Sequence, residues 1–97
     1  MRVEKTAEYA EWIDALKDQA GRVRVLVRVE RLIGGNPGQH RSLTDGVCEL
    51  KIDFGPGYRV YYSPRGTRLL LLLAGGDKSS QAKDIQLAIK LAKNFKE

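Results

Sequence analysis

Hydrophobic and polar positions alternate most regularly in the middle of the chain, where two strands are predicted. Between residues 48 and 54, apolar side chains take the even positions and charged ones the odd positions, as in a strand with one buried face. A Gly-Pro-Gly turn at residues 55–57 then precedes a return strand over residues 58–62, in which Arg59 and Tyr61 share a face. A type I turn is predicted at residues 63–66. The five leucines within residues 67–74 leave no polar side and predict a central strand covered on both faces.

The two ends of the chain have helical spacing instead. Apolar residues at positions 9, 12, 13 and 16 follow a capping residue, Thr6, and predict a helix over residues 6–19. A second apolar stripe within residues 85–95 predicts a final helix capped by Ser79 or Ser80. Residues 22–33 fit both a strand and a helix, and their β-branched content favours a strand. Residues 34–38 form a glycine- and proline-rich loop.

Length and charge narrow the class of protein. Residues 1–97 suffice for one domain with a modest core, and the net charge of +5 favours an acidic partner. Residues 1–20 carry five acids and three bases, whereas residues 21–97 carry seven and fourteen, so the positive field belongs to the later part. One cysteine, Cys48, fits a reducing compartment. With no apolar segment long enough for a signal or a membrane span, we expect a soluble cytoplasmic protein.

The sequence gives no sign of a metal or cofactor. One histidine and one cysteine without ligand spacing do not make a metal site. The segment Gly75-Gly76-Asp77-Lys78-Ser79 lacks the spacing of a phosphate-binding loop. We therefore expect no metal, no cofactor and no nucleotide hydrolysis.

Two separated blocks carry a family resemblance. Residues 49–62, ELKIDFGPGYRVYY, followed by residues 72–81, LLAGGDKSSQ, and by Asp84-Ile85, resemble the addiction-module killer proteins, which are HigB-like members of the RelE/ParE toxin superfamily. The resemblance covers nearly the whole chain. It implies an α+β fold, with two N-terminal helices packed on a small antiparallel sheet and a C-terminal helix. On this ground residues 22–33 are predicted to be helical.

The resemblance leaves two functions open. RelE and HigB toxins are endoribonucleases that cut messenger RNA in the ribosomal A site, whereas ParE proteins share the fold and poison DNA gyrase; fold alone does not choose between them. The first hypothesis is a metal-independent, ribosome-dependent messenger RNA endonuclease. The second is a non-catalytic gyrase inhibitor or an inactive interaction module. Under either, the expected partner is an antitoxin, a small helix-turn-helix protein.

The candidate catalytic residues are mostly cations. RNA cleavage by the 2′-hydroxyl needs a proton acceptor, cations on the phosphorane and a proton for the leaving 5′-oxygen. Arg59 matches the superfamily arginine that contacts the scissile phosphate, and Lys51 and Lys78 are placed as further phosphate contacts. The alternative for Arg59 is a surface pair with Glu49 or Asp53. For the lysines it is ordinary solvation.

Proton transfer and base stacking are less clear. The superfamily's second lysine is missing here, and Asp84 stands near the expected position of its stacking tyrosine. Tyr61 is a candidate for stacking or proton relay, with packing as the alternative. Histidine is the side chain that ordinarily exchanges a proton near neutral pH, and His40 is placed in the loop before the strands. The expected RNA contacts are Arg41, Ser79, Ser80, Arg22 and Arg24; the serines also suit a plain capping role.

Overall fold

A five-stranded sheet with helices on both faces organises the chain in a computed structural model that describes residues 2–96. The elements in chain order are β1 (Arg2–Lys5), α1 (Ala7–Ala15), α2 (Gln19–Ile33), β2 (His40–Ser42), β3 (Cys48–Ile52), β4 (Tyr58–Arg65), β5 (Leu69–Gly76), a single 3-10 turn (Lys78–Ser80) and α3 (Gln81–Asn94). The strands lie in the order β1-β5-β4-β3-β2. The predicted α+β fold, with two helices before the strand series and one after it, is confirmed.

The first two helices begin at side-chain caps. Thr6 Oγ1 accepts a hydrogen bond from the Tyr9 amide at 3.0 Å, as the sequence predicted. The α1 helix ends at Ala15 rather than at residue 19, because Asp18 begins α2 by accepting a hydrogen bond from the Gly21 amide at 3.0 Å. The helical interpretation of residues 22–33 is confirmed. Their β-branched residues form a helix because Val25 and Val29 are buried against the sheet.

Three features of the sheet depart from the sequence prediction. β1 was not predicted, and it runs parallel to β5, so the sheet is mixed. His40 lies in β2, an edge strand, and not in a loop. The type I turn at residues 63–66 is wrong: β4 continues through Pro64 to Arg65, and the turn follows at residues 66–68. Pro64 is tolerated because the pairing with β3 already ends at Tyr62, so its missing N–H removes no bond to that strand.

The two faces of the sheet carry separate core clusters. On one face, α1 and α2 cover a cluster that includes Leu50, Val60 and Leu72. On the other face, α3 covers a smaller cluster that includes Tyr61 and Leu73. A bulge opposite Tyr61 and Tyr62 shifts the register of β5. The predicted burial of residues 69–73 on both faces is confirmed. None of the helices within residues 2–96 is long and apolar enough to cross a membrane.

Candidate functional site

Two adjoining clefts lie where β3 and β4 meet the start of α3. The larger has a volume of about 430 Å³ and is lined by β3, β4, the first turn of α3, and β2 with the residue before it: Gln39, His40, Arg41, Glu49, Lys51, Arg59 and Gln81. The smaller, of about 250 Å³, lies toward the Gly-Pro-Gly turn and includes Lys78. Lys51 and Arg59 line both. We call the two together the cationic cleft.

Arg59 lies at the floor of the cationic cleft. The residue is 5% exposed, and its Nη1 donates hydrogen bonds to the carbonyls of Gly57 at 2.7 Å and Tyr58 at 3.3 Å. Its Nε has no hydrogen-bond partner within residues 2–96, and neither has Nη2. A buried guanidinium normally satisfies its donors. Nη2 is therefore available to an anion that enters from the cleft, whereas Nε is enclosed 4.0 Å from Glu49 Oε2.

Glu49 is the counter-charge at this floor. It is 3% exposed; Oε1 accepts from Arg41 Nε at 2.7 Å, and Oε2 accepts from Gln81 Nε2 at 2.8 Å and lies 4.0 Å from Arg59 Nε. Burial by itself raises the pKa of Glu49, but the hydrogen bonds from Arg41 and Gln81 and the charges of both arginines outweigh it and lower the pKa below 4.5. Glu49 is thus ionised at neutral pH.

The strand register explains why these groups meet. Lys51 pairs with Arg59 and Glu49 pairs with Tyr61 across β3 and β4, while Arg41 pairs with Glu49 across β2 and β3. Opposite residues of an antiparallel pair share a face, so three cations and one carboxylate project from one side. Of the predicted residues, Arg59, Lys51 and Arg41 are brought together in this way.

Lys78 approaches from the end of β5. Gly57 has a φ of +82°, and a side chain at this position would lie within about 3.5 Å of both Arg59 Nη1 and Lys78 Cβ. The glycine thus supplies both the left-handed turn and the room for the two cations to approach. Lys78 remains exposed, so its ammonium is free to reach a ligand in the smaller cleft.

The two predicted proton-transfer residues, Tyr61 and His40, are placed less favourably for contact with RNA than the cations are. Tyr61 is 0% exposed and packs in the α3-side core, so its ring does not reach a base; the stacking role is wrong for this conformation. Its pKa is raised above 10.0, first by burial and then by the carboxylates of Glu49 and Asp84. His40 borders the cleft, but it pairs with Leu50, whose side chain belongs to the α2-side core. Its register therefore places it at the rim, off the face of Arg59.

The serines before α3 are already engaged by carboxylates. Asp77 Oδ1 accepts hydrogen bonds from the Ser79 amide at 2.8 Å and from its hydroxyl at 2.5 Å. Ser80 lies at the N-cap position of α3, but its hydroxyl donates a hydrogen bond to Asp84 Oδ2 at 2.6 Å. Asp77 thus occupies the place that the sequence assigned to an RNA phosphate. Asp77 rather than Ser79 caps the 3-10 turn, and Ser80 makes no side-chain capping hydrogen bond at the start of α3, so the predicted side-chain capping by these serines is wrong.

Arg22 and Arg24 lie on the opposite side of the sheet from Arg59. Arg22 Nη2 lies 3.6 Å from Asp14 Oδ1, and the Arg24 guanidinium lies over the Phe54 ring at 4.6 Å from its centroid. Neither residue lines the cationic cleft. Their predicted contacts with RNA are not part of this site.

Glu49 and Gln81 are cleft residues to which sequence reasoning assigned no functional role. The signal for Glu49 was its parity: it shares the polar face of β3 with Lys51, two residues away. Gln81 had no comparable signal, since only the packing of α3 brings its amide to Glu49. Within residues 2–96, no group of three or more histidines, cysteines and acids is placed to hold a metal ion.

A comparison with known proteins identifies one relative. The chain is 41% identical over 95 residues to a Haemophilus influenzae protein described as uncharacterized, and the match covers 98% of this chain and 96% of that protein. The chain therefore belongs to the same family as the Haemophilus influenzae protein. No family model matches the chain.

Proposed function

We propose that this chain is the toxin of a type II toxin–antitoxin module and acts as a ribosome-dependent messenger RNA endonuclease in the cytoplasm. The resemblance of residues 49–62 and 72–85 to HigB-like members of the RelE/ParE superfamily suggests the module. One observation carries the chemistry: Arg59 is almost fully buried at the floor of a cationic cleft and keeps unbonded donors. A planar guanidinium whose Nη2 is unbonded suits the oxygens of a phosphodiester.

The cleft residues divide the work of phosphodiester cleavage. The RNA 2′-hydroxyl attacks the adjacent phosphorus, the bond to the 5′-oxygen breaks, and a proton moves from the first oxygen to the second. Arg59, Lys51 and Lys78 stabilise the negative charge that grows on the phosphorane oxygens. Because Arg59 is buried and Lys51 is partly buried, their attraction to the phosphate is stronger than in open water.

Glu49 is the better-placed acceptor for the 2′-hydroxyl proton. It is ionised and shares the face of Arg59, whereas His40 lies at the rim. A carboxylate has more lone-pair positions than the two that Arg41 and Gln81 fill. Lys51 and Lys78 carry transferable protons on flexible stems and are the donors available to the leaving 5′-oxygen.

The same carboxylate also supports a second candidate function. Both oxygens of Glu49 already accept charged or amide donors, and its lowered pKa makes it a weak base. A protein that uses these charges only to bind would have the same arrangement. A non-catalytic ParE-like gyrase inhibitor, or an inactive interaction module, is therefore the second candidate.

Mapping of cellular RNA ends after brief expression separates the two candidates. We expect new 5′ ends within translated messages by primer extension, and no cuts in a matched reporter whose ribosome-binding site is removed. Arg59→Ala should produce no new ends. Growth arrest without cuts, accompanied by gyrase–DNA cleavage complexes, would instead establish the second candidate. Under both, the partner is a small helix-turn-helix antitoxin.

A further inference from the structure

A second surface of the molecule is not used by the proposed chemistry. It is a groove of about 450 Å³ between the outer side of α2 and the end of β3. Its apolar lining includes Val23, Val27, Ile52 and Phe54, and Arg24 and Arg31 stand along it. We call this surface the α2 groove. Gln39 and Asp53 border both it and the cationic cleft, which otherwise lies on the far side of the sheet.

Two of the apolar residues that line the α2 groove are exposed to solvent. Val23 is 59% exposed and Val27 is 44% exposed, and residues four apart lie on one side of a helix. Exposed valines also weaken a helix, because their branched side chains lose rotamer freedom in it. Single exposed apolar residues are ordinary, but a pair that lines a groove indicates a binding surface.

The arginines beside these valines are available to a partner. Arg24 and Arg31 form no salt bridge within residues 2–96, and Asp53 is the one acid that lines the groove. The groove is also preformed. Arg28 donates hydrogen bonds to the carbonyls of Lys51 at 2.7 Å and of Pro37 and Gln39 at 3.0 Å, which fixes the loop after α2 against β3.

We propose that the α2 groove docks a short amphipathic helix of a partner protein, with apolar residues four apart on Val23 and Val27 and carboxylates facing Arg24 and Arg31. The distance along α2 from residue 23 to residue 31 is about 12 Å, which matches two to three turns of such a helix. Acidic flanks follow from charge complementarity. The docking site itself does not depend on the proposed function; only the naming of the partner as the antitoxin rests on it.

RNA fits the α2 groove less well than a peptide does. A phosphate backbone could meet Arg24 and Arg31 but would leave the valines uncovered. The Arg24 guanidinium already lies over one face of the Phe54 ring, so a base could not stack on that face without displacing it. An apolar and acidic peptide satisfies both features of the surface.

Selection from a phage-displayed library of random 16-residue peptides on the folded protein tests this docking site. We expect enriched sequences with apolar residues four apart and acidic flanks, and a loss of affinity of about tenfold or more for Val27→Glu. Leu87→Glu is the matched control, because Leu87 is an exposed leucine on α3, and it should bind the peptides as the unaltered protein does. Arg59→Ala should also bind them normally, which separates this proposal from the proposed function.

Three results would overturn the docking site. The first is that no peptide is enriched. The second is that the enriched peptides bind Val27→Glu as tightly as the unaltered protein, or lose affinity for Arg59→Ala instead. The third is that Val27→Glu weakens binding of a single-stranded RNA oligonucleotide tenfold while peptide binding is unchanged, which would assign the groove to nucleic acid.

Discussion

The two faces of the sheet differ in whether they bury charged side chains. On the face covered by α1 and α2, β3 and β4 present apolar side chains such as Leu50 and Val60 to a continuous core. On the other face, the same two strands bury Glu49 and Arg59 next to the core under α3. Burying a charged pair is often less stabilising than an apolar pair of similar volume. Our proposal is that the second face retains its charges for a ligand, the RNA phosphate.

A comparison of Arg28 with Arg59 shows the same difference in single residues. Arg28, on α2, directs both terminal nitrogens to backbone carbonyls, with three hydrogen bonds in total. Arg59 bonds through Nη1 alone and leaves Nε and Nη2 unbonded within residues 2–96. Arg28 thus holds backbone segments together, whereas Arg59 has a donor that is available to a ligand. Substitutions at the two positions should therefore affect different properties.

Arg59→Ala should have the largest effect. We expect cleavage of a ribosome-bound message to slow by about 100-fold or more, since removing one buried donor from a site of developing charge typically costs this much. The measurement is the cleavage rate of purified protein on a programmed ribosome. Arg24→Ala, an arginine on the other face, should cut at the unaltered rate, and an equal loss for both variants would contradict the assignment.

Arg28→Ala should act mainly on stability. Removal of a charged donor that serves three carbonyls should lower the free energy of unfolding by about 2 kcal/mol, as measured by urea denaturation. Cleavage should fall less than tenfold at a temperature where the variant is folded. A variant with unchanged stability and abolished cleavage would reverse the roles of the two arginines.

Replacing the charges of Glu49 and Arg59 tests why they are buried. Glu49→Gln should lower the free energy of unfolding by about 1–2 kcal/mol, because it leaves the guanidinium without its carboxylate. Adding Arg59→Met should recover most of that loss, and the double variant should not cleave the message. If the double variant were much less stable than Glu49→Gln alone, the charges would serve the fold, and the contrast between the faces would fail.

The pH dependence of stability gives the smallest expected effect. The folded-state pKa of Glu49 is lowered below 4.5, so its contribution is present above pH 4.5 and is lost as the pH falls through the folded pKa. The stability difference between the unaltered protein and Glu49→Gln should therefore shrink below about pH 4.5. Asp18, whose pKa is also lowered, is present in both proteins, so its contribution cancels in the stability difference. A difference that is constant with pH would show that folding does not lower the pKa of Glu49.

Local patterns predicted most of the fold, and long-range contacts account for what they missed. The alternation of apolar and charged residues over 48–54 and the apolar stripe of α3 are local signals. Each was sufficient to predict its element. β1 has only Val3 as an apolar residue between charged neighbours, and it is a strand because it pairs with β5, some 67 residues later. Pro64 suggested a turn, but the hairpin of β4 with β5 extends past it.

The candidate site could be predicted only in part for the same reason. Arg59 and Lys51 lie on paired strands near one turn, so their proximity follows from a hairpin. The burial of Glu49 depends on Gln81, which α3 brings from 32 residues away. The alternation of side chains along β4 correctly placed Tyr61 on the face of Arg59. Alternation does not show whether a face is exposed or covered, and Ala88 and Ala92 of α3 pack in the same cluster as Tyr61.

Analysis of the ends produced on a ribosome-bound message tests the central claim most directly. Attack by the 2′-hydroxyl under the cations of the cleft predicts a 2′,3′-cyclic phosphate on one fragment and a 5′-hydroxyl on the other, with both absent for Arg59→Ala. Cleavage by Arg59→Ala at the unaltered rate, a 5′-phosphate end, or an intact message with the folded protein bound would contradict the account.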